Sequence, residues 1–225
     1  MKPTINQYLL STALFMIDEF NEKYSELDKL TLKEISDLKY NETDIMVRIG
    51  YPFGNIVHYT VGDGTSKNEE SKVNHDIYIE AKDFKIEIKY LRNWASNGTD
   101  EYRSNKIQWA EIQRDFQWLE EEIRSGNKGK RAVVIGWFNC IDNFSRYMQL
   151  GEGAGCNPNA NEERVTYFPF LTSNTAPPRK ASELVYNYQL GYRELLVNTY
   201  GRLDNELNCM FIGNADDKFH IALYY

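Results

Sequence analysis

In the stretch HDIYIEAKDFKIEIKYL, residues 75–91, three charged residues sit where two strands should come together. The alternation predicts one strand over 76–80, a turn at AKDF and a second strand over 85–91. Side chains on a strand point to opposite faces in turn. Phe84, Ile86, Ile88 and Tyr90 therefore share one face, and Lys85, Glu87 and Lys89 the other. In the first strand Ile77 and Ile79 face one way, Asp76 and Tyr78 the other. Simple antiparallel pairing brings Asp76, Glu87 and Lys89 to one side. Two carboxylates held close repel each other, and a divalent cation removes that penalty. Mg²⁺ takes one or two carboxylates and completes its shell with water and substrate phosphate. A lysine two residues after Glu87 can orient an attacking water or steady the charge that builds on a phosphate. The plainer reading of the same residues is a solvated hairpin face with a cross-strand ion pair, which is worth little.

The elements around the hairpin decide between these readings. Ile5, Leu9, Ala13, Met16 and Phe20 recur at helical spacing and predict a helix over 5–24. KLTLKEISDL predicts a short second helix with Thr31 as N-cap. In DIMVRI, Ile45, Val47 and Ile49 alternate, so a strand is expected near 44–49, with NIVHYTV (55–61) as another candidate strand. After the hairpin, Trp109, Ile112, Phe116, Leu119 and Ile123 predict a helix over 104–124, with Gly126 near its C-cap. RAVVIGWF, 131–138, reads as a strand covered on both faces. Beyond it, VTYFPFL suggests a strand, residues 181–199 suggest a helix, and NCMFIGNADDKFHIALYY suggests a terminal hairpin. Neither an internal repeat nor a domain linker is visible, so one α/β domain over 1–225 is expected, with a core in the first 140 residues or so.

Composition narrows the function classes. Acids outnumber bases 33 to 26, which argues against a protein that coats nucleic acid non-specifically but leaves room for a local basic groove. Cys140, Cys156 and Cys209 are widely spaced and form no CxxC pair, so free thiols in a reducing cytoplasm are expected. The amphipathic start runs into Asp18 and Glu19 without a cleavage pattern, and no stretch has the length of a membrane span. His58, His75 and His220 are far apart in sequence and read as structural residues. LGEGAGCN lacks the Lys-Ser/Thr of a P-loop and reads as an ordinary loop.

Asp76, followed by Glu87-Ile88-Lys89 on a predicted hairpin, resembles the core motif of the PD-(D/E)XK nuclease superfamily. Element order agrees over the first 140 residues: helix, three-stranded meander, helix, strand. His75 stands where that family often has Pro. The resemblance implies a restriction-endonuclease-like core, a mixed central sheet flanked by helices, here with a C-terminal helix and hairpin extension. It implies a cytoplasmic, metal-dependent endonuclease of restriction or defence type, using Mg²⁺ or Mn²⁺ on DNA, with a homodimer as one way to cut both strands. Asp76 and Glu87 would hold the metal together with the Ile88 carbonyl, and Lys89 would align the hydrolytic water. Some relatives add a glutamate from the first helix, which here points to Glu19. Others place a polar residue on the helix after the motif, for which Gln113 or Lys106 could serve. Basic residues beside the motif, Arg92, Arg103 and Lys106, together with Lys128, Lys130 and Arg131, would form a phosphate track.

Two rival functions fit the same sequence. One is an inactive member of the same fold acting as a binding or regulatory protein, which the acidic balance favours. The other is a helix-turn-helix regulator, since TLKEISDLKYNETDIMVRIG could place Lys39-Tyr40-Asn41 in a turn between helices. The alternation of Ile45, Val47 and Ile49 argues for a strand instead.

Overall fold

The computed structural model describes residues 4–59, 75–92, 105–152, 157–204 and 206–225, with the side chains of 55, 56, 58, 59 and 105–108 outside the description. Helix α1 (Ile5–Tyr24) buries Ile5, Leu9, Ala13, Met16, Ile17 and Phe20, the stripe its sequence predicts. Helix α2 (Lys29–Lys39) starts at Asp28, not Thr31. The Asp28 carboxylate accepts the Thr31 N–H at 2.8 Å, a better cap because it sits one residue outside the first turn.

Residues 44–49 are not a strand. They belong to α3 (Glu42–Gly50), where Ile45, Met46 and Ile49 are buried while Val47 is 49% exposed. An Asn41–Asp44 capping box starts this helix, each side chain bonding the other's backbone N–H. Two helices joined through Tyr40 and Asn41 thus stand where the alternation suggested a strand. The other candidate strand holds as β1 (Val57–Tyr59).

The hairpin follows as β2 (Ile77–Ile79) and β3 (Phe84–Leu91). Its turn is a 3₁₀ segment, Glu80–Lys82, closed by Asp83 at φ 55°. Helix α4 (Asn105–Glu122) leads into β4 (Arg131–Phe138) through a turn in which Gly126 takes φ 86°. The C-terminal part contains β5 (Gly151–Glu152), β6 (Asn159–Ala160), α5 (Glu162–Thr166), β7 (Leu171–Thr172), β8 (Val185–Tyr186), β9 (Glu194–Leu196), β10 (Asn208–Ile212) and β11 (Phe219–Tyr224). The expected helix over 181–199 is absent: that segment is two 3₁₀ turns with β8 and β9 between and after them. Tyr192 at φ 61° interrupts any helical run there. VTYFPFL ends α5 and enters β7 instead of forming a strand of its own.

Seven strands make the central sheet in the order β1-β2-β3-β4-β11-β10-β9. Among the described residues only β3 and β4 pair in parallel, so the sheet is mixed and α4 is the crossover between them. The terminal hairpin β10–β11 is not an appendage. β11 pairs with β4 over Phe219–Tyr224 and completes the middle of the sheet. Every residue of β4 and β11 is buried, which is why RAVVIGWF reads as a continuous apolar run. On one face Phe138 and Phe219 pack against Phe20 of α1. On the other, Phe116 of α4 meets Tyr224 at 4.7 Å between ring centroids. Gly136 makes the first face possible, because a Cβ there would lie 2.8 Å from the Phe219 ring. Among the described residues no helix is long and apolar enough to cross a membrane.

Candidate active site

The hairpin register is Ile77↔Ile86, Tyr78↔Lys85 and Ile79↔Phe84. Continued by one residue, it brings Asp76 opposite Glu87. Phe84, Ile86, Ile88 and Tyr90 are buried, and the residues between them are half-buried. Burial of the isoleucine face therefore forces Glu87 and Lys89 to the other side, which α4 covers. Asp76 Oδ2 accepts the Ile88 N–H at 2.7 Å, a bond that ties the first carboxylate to the strand carrying the other two residues.

Lys89 is the hub. Its Nζ donates to the Ile88 carbonyl at 3.1 Å and lies 3.2 Å from Asp115 Oδ2 and 3.8 Å from Glu42 Oε1. Burial alone would depress its pKa, but Glu42, Asp115 and Asp76 outweigh burial and hold it raised. The acids show the converse. Burial, then the charge of Glu87, pushes Asp76 up to about 6 against the pull of Ile88 N–H, Lys89 and His75. Burial raises Asp115 to about 6 although Lys89 opposes it, with Glu87 and Asp76 adding to the rise. Glu42 rises to about 7, again through burial with Lys89 opposing, and its 43% exposed side chain leaves solvent to soften that shift. Three carboxyl groups, Glu42, Asp115 and Asp76, thus surround one ammonium and are held above their ordinary range, with Glu87 adding its charge beside Asp76 and Asp115.

Two of the four acids were not among the residues expected from sequence. Glu42 comes from the first turn of α3, a helix the alternation of 45–49 concealed. Asp115 comes from α4, where it flanks the buried stripe Ile112–Phe116–Leu119. The expected acid of the first helix is elsewhere: Glu19 makes a two-pronged ion pair with Arg48, at 3.1 and 3.0 Å, in the groove between α1 and α3. Gln113 lies on the opposite flank of the α4 stripe, alongside Glu120, so Asp115 is the residue α4 sends to Lys89. Lys106 falls in α4 with its side chain outside the described residues, and Arg103 lies outside them altogether, as does Cys156. Arg92 follows β3 directly, its guanidinium 5.7 Å from the Tyr90 ring. The expected phosphate track loses two members. Arg131 is bound to Glu122 at 2.6 Å and Lys130 to Asp83 at 3.1 Å. His220 is buried and structural: burial drops it to about 4, and its Nε2 bonds the Asn214 carbonyl. Cys140 and Cys209 are free and buried.

The donor set suits a hard divalent cation. Among the described residues no three His, Cys, Asp or Glu side chains converge as a ready-made cage. The candidate donors are the Asp76 and Glu87 carboxylates and the Ile88 carbonyl. Mg²⁺ and Mn²⁺ are commonly held this way, by few protein oxygens with water or phosphate completing the shell. The surplus of negative charge also fits. Asp115 Oδ2, buried beside Lys89, has an ionic contact but no well-aligned hydrogen bond. The chain matches no protein-family model, and no curated protein or solved structure shows significant similarity to it.

Proposed function

We propose that this protein is a metal-dependent nuclease that hydrolyses phosphodiester bonds, with DNA as its substrate and a restriction-endonuclease-like core. The observation that carries the reading is the convergence of Asp76, Glu87 and Lys89 at one side of β2 and β3, with the acids in excess. The order α1, meander β1–β2–β3, α4 and parallel β4 supports the fold assignment. A bound Mg²⁺ or Mn²⁺ supplies positive charge to the scissile phosphate and its leaving oxygen. Asp76, Glu87 and the Ile88 carbonyl would hold it. Lys89, fully protonated at neutral pH, orients the attacking water and balances charge on the phosphate. Asp115 and Glu42 keep the Lys89 ammonium charged and in place. A homodimer would supply the two sites that a double-strand cut needs.

The test is cleavage of supercoiled plasmid with Mg²⁺ or Mn²⁺. Cleavage that requires the ion and disappears in Lys89→Ala supports the reading. A wild-type protein that leaves plasmid and single-stranded DNA intact with either ion contradicts it. The second reading, a non-catalytic binding protein of the same fold, is favoured by one observation: Lys89 is already engaged by two carboxylates. The regulator reading gains the paired helices α2 and α3. However, α3 opens with Glu42 and Asp44, which would meet a phosphate backbone with like charge.

A further inference from the structure

The residue before Asp76 is a histidine whose side chain is locked on two sides. His75 Nδ1 lies 2.5 Å from Glu87 Oε1, and both side chains are 13% exposed. A carboxylate that serves as a cation donor has no hydrogen to give, so on that reading Nδ1 is the donor of this bond. The imidazole also packs on Trp118 of α4, with 4.9 Å between ring centroids and 36° between planes. Trp118 stands one turn beyond Asp115 on the same helix, so α4 sends one side chain toward Lys89 and another toward the partner of Glu87.

We propose that His75 is a positioning residue: it fixes the Glu87 carboxylate for divalent-cation binding, with Trp118 bracing the ring. The inference rests on the reading of Asp76 and Glu87 as cation donors. A glutamate side chain has three rotatable bonds, and a free one loses that freedom when it takes up an ion. Here the loss occurs on folding. With Oε1 engaged by His75, Oε2 is the oxygen left for the cation. Hydrogen-bond partners of metal ligands commonly contribute tenfold to hundredfold to affinity in this way.

Side-chain geometry gives a discriminating test. The amide nitrogen of asparagine occupies about the place of histidine Nδ1, whereas that of glutamine occupies the place of Nε2. Mn²⁺ binding to the full-length protein is measured by titration calorimetry for wild type, His75→Ala, His75→Asn, His75→Gln and Asp76→Ala, with melting temperatures recorded without metal. We expect His75→Ala and His75→Gln to bind Mn²⁺ about 10- to 100-fold more weakly. His75→Asn should stay within a few-fold of wild type. Pulsed electron paramagnetic resonance of the Mn²⁺ complex, with ¹⁵N-histidine, should show no directly bound nitrogen. Wild-type affinity in His75→Ala, rescue by Gln instead of Asn, or a directly bound imidazole would each overturn the proposal while leaving the cation site standing. Mn²⁺ binding that is absent from wild type, or unaffected by Asp76→Ala, would remove the cation site and this proposal with it.

Discussion

Helix α4 carries an acidic cluster on each flank, and the two are built to opposite ends. On one flank, Glu120 is 3% exposed and accepts from the Tyr167 hydroxyl at 2.9 Å and from Arg202 Nε at 3.0 Å. Both of its oxygens have donors, and Glu163 balances the far side of the guanidinium at 3.3 Å. That is a satisfied ion pair, closed to further ligands. On the other flank, Asp115 joins Glu42 and Asp76 around the ammonium of Lys89, with Glu87 beside Asp76. Among the described residues acids exceed fixed cations here, and three carboxyls are pushed up toward neutrality. A fold selected for stability alone would neutralise or remove such a surplus. On the proposed reading, a divalent cation would neutralise that surplus.

The contrast can be broken or sharpened by substitution. The largest effect is expected at the hub. Lys89→Ala should lower ion-dependent DNA cleavage by about 10²- to 10³-fold, the usual cost of one preorganised charged donor, with the fold intact by circular dichroism. Next comes Glu120→Ala, which leaves Arg202 and the Tyr167 hydroxyl without their acceptor. Urea denaturation should show a loss of about 2–3 kcal/mol, with activity per folded molecule retained.

Asp76→Asn should do the reverse, losing cleavage while gaining stability. The Asp76 carboxyl sits at about 6 in the folded protein against an ordinary 3.8, so the folded state holds its proton more tightly than the unfolded chain does. Its destabilising contribution is therefore absent below about pH 4, grows as pH rises to about 6 and is complete above that. The asparagine variant should be about 1–2 kcal/mol more stable than wild type at pH 8 without metal, and the difference should fade by pH 4. A variant that is less stable than wild type at pH 8 would contradict the charge-surplus account. The smallest effect concerns the ion itself. Millimolar Mn²⁺ should raise the melting temperature by a few degrees at pH 8 and by less at pH 5, where protons compete for Asp76. Asp76→Asn should abolish that rise.

The hairpin half of the site was legible in sequence because strand alternation is strict. Once Ile77, Ile86 and Ile88 must be buried, the faces of Asp76, Glu87 and Lys89 follow, and the register supplies the rest. The stripe on α4 was legible for the same reason at helical period, but it leaves two polar flanks that sequence ranks equally. Packing chose the Asp115–Trp118 flank for the site and gave Glu120 to Arg202. Glu42 was hidden because Ile45, Val47 and Ile49 mimic a strand over too short a stretch to reveal its period. The signal that would have found it is the Asn41–Asp44 capping box, which starts a helix and puts Glu42 in its first turn. Glu19 was a reasonable acid on a helix of the right order, but Arg48 from the unforeseen α3 engages it. Residues 181–199 carry apolar residues near helical spacing, yet Asn187 caps a 3₁₀ turn and Tyr192 takes a left-handed conformation. Partners in the sheet, not local preference, fix that segment.

The central claim, that the carboxylates of Asp76 and Glu87 share one divalent cation beside Lys89, is most directly tested by crystallography. Crystals grown in millimolar Mn²⁺ would be measured near the manganese absorption edge. The account predicts an anomalous peak in contact with both carboxylates and the Ile88 carbonyl. Density showing both carboxylates ordered at saturating Mn²⁺, with no anomalous peak between them, would contradict it.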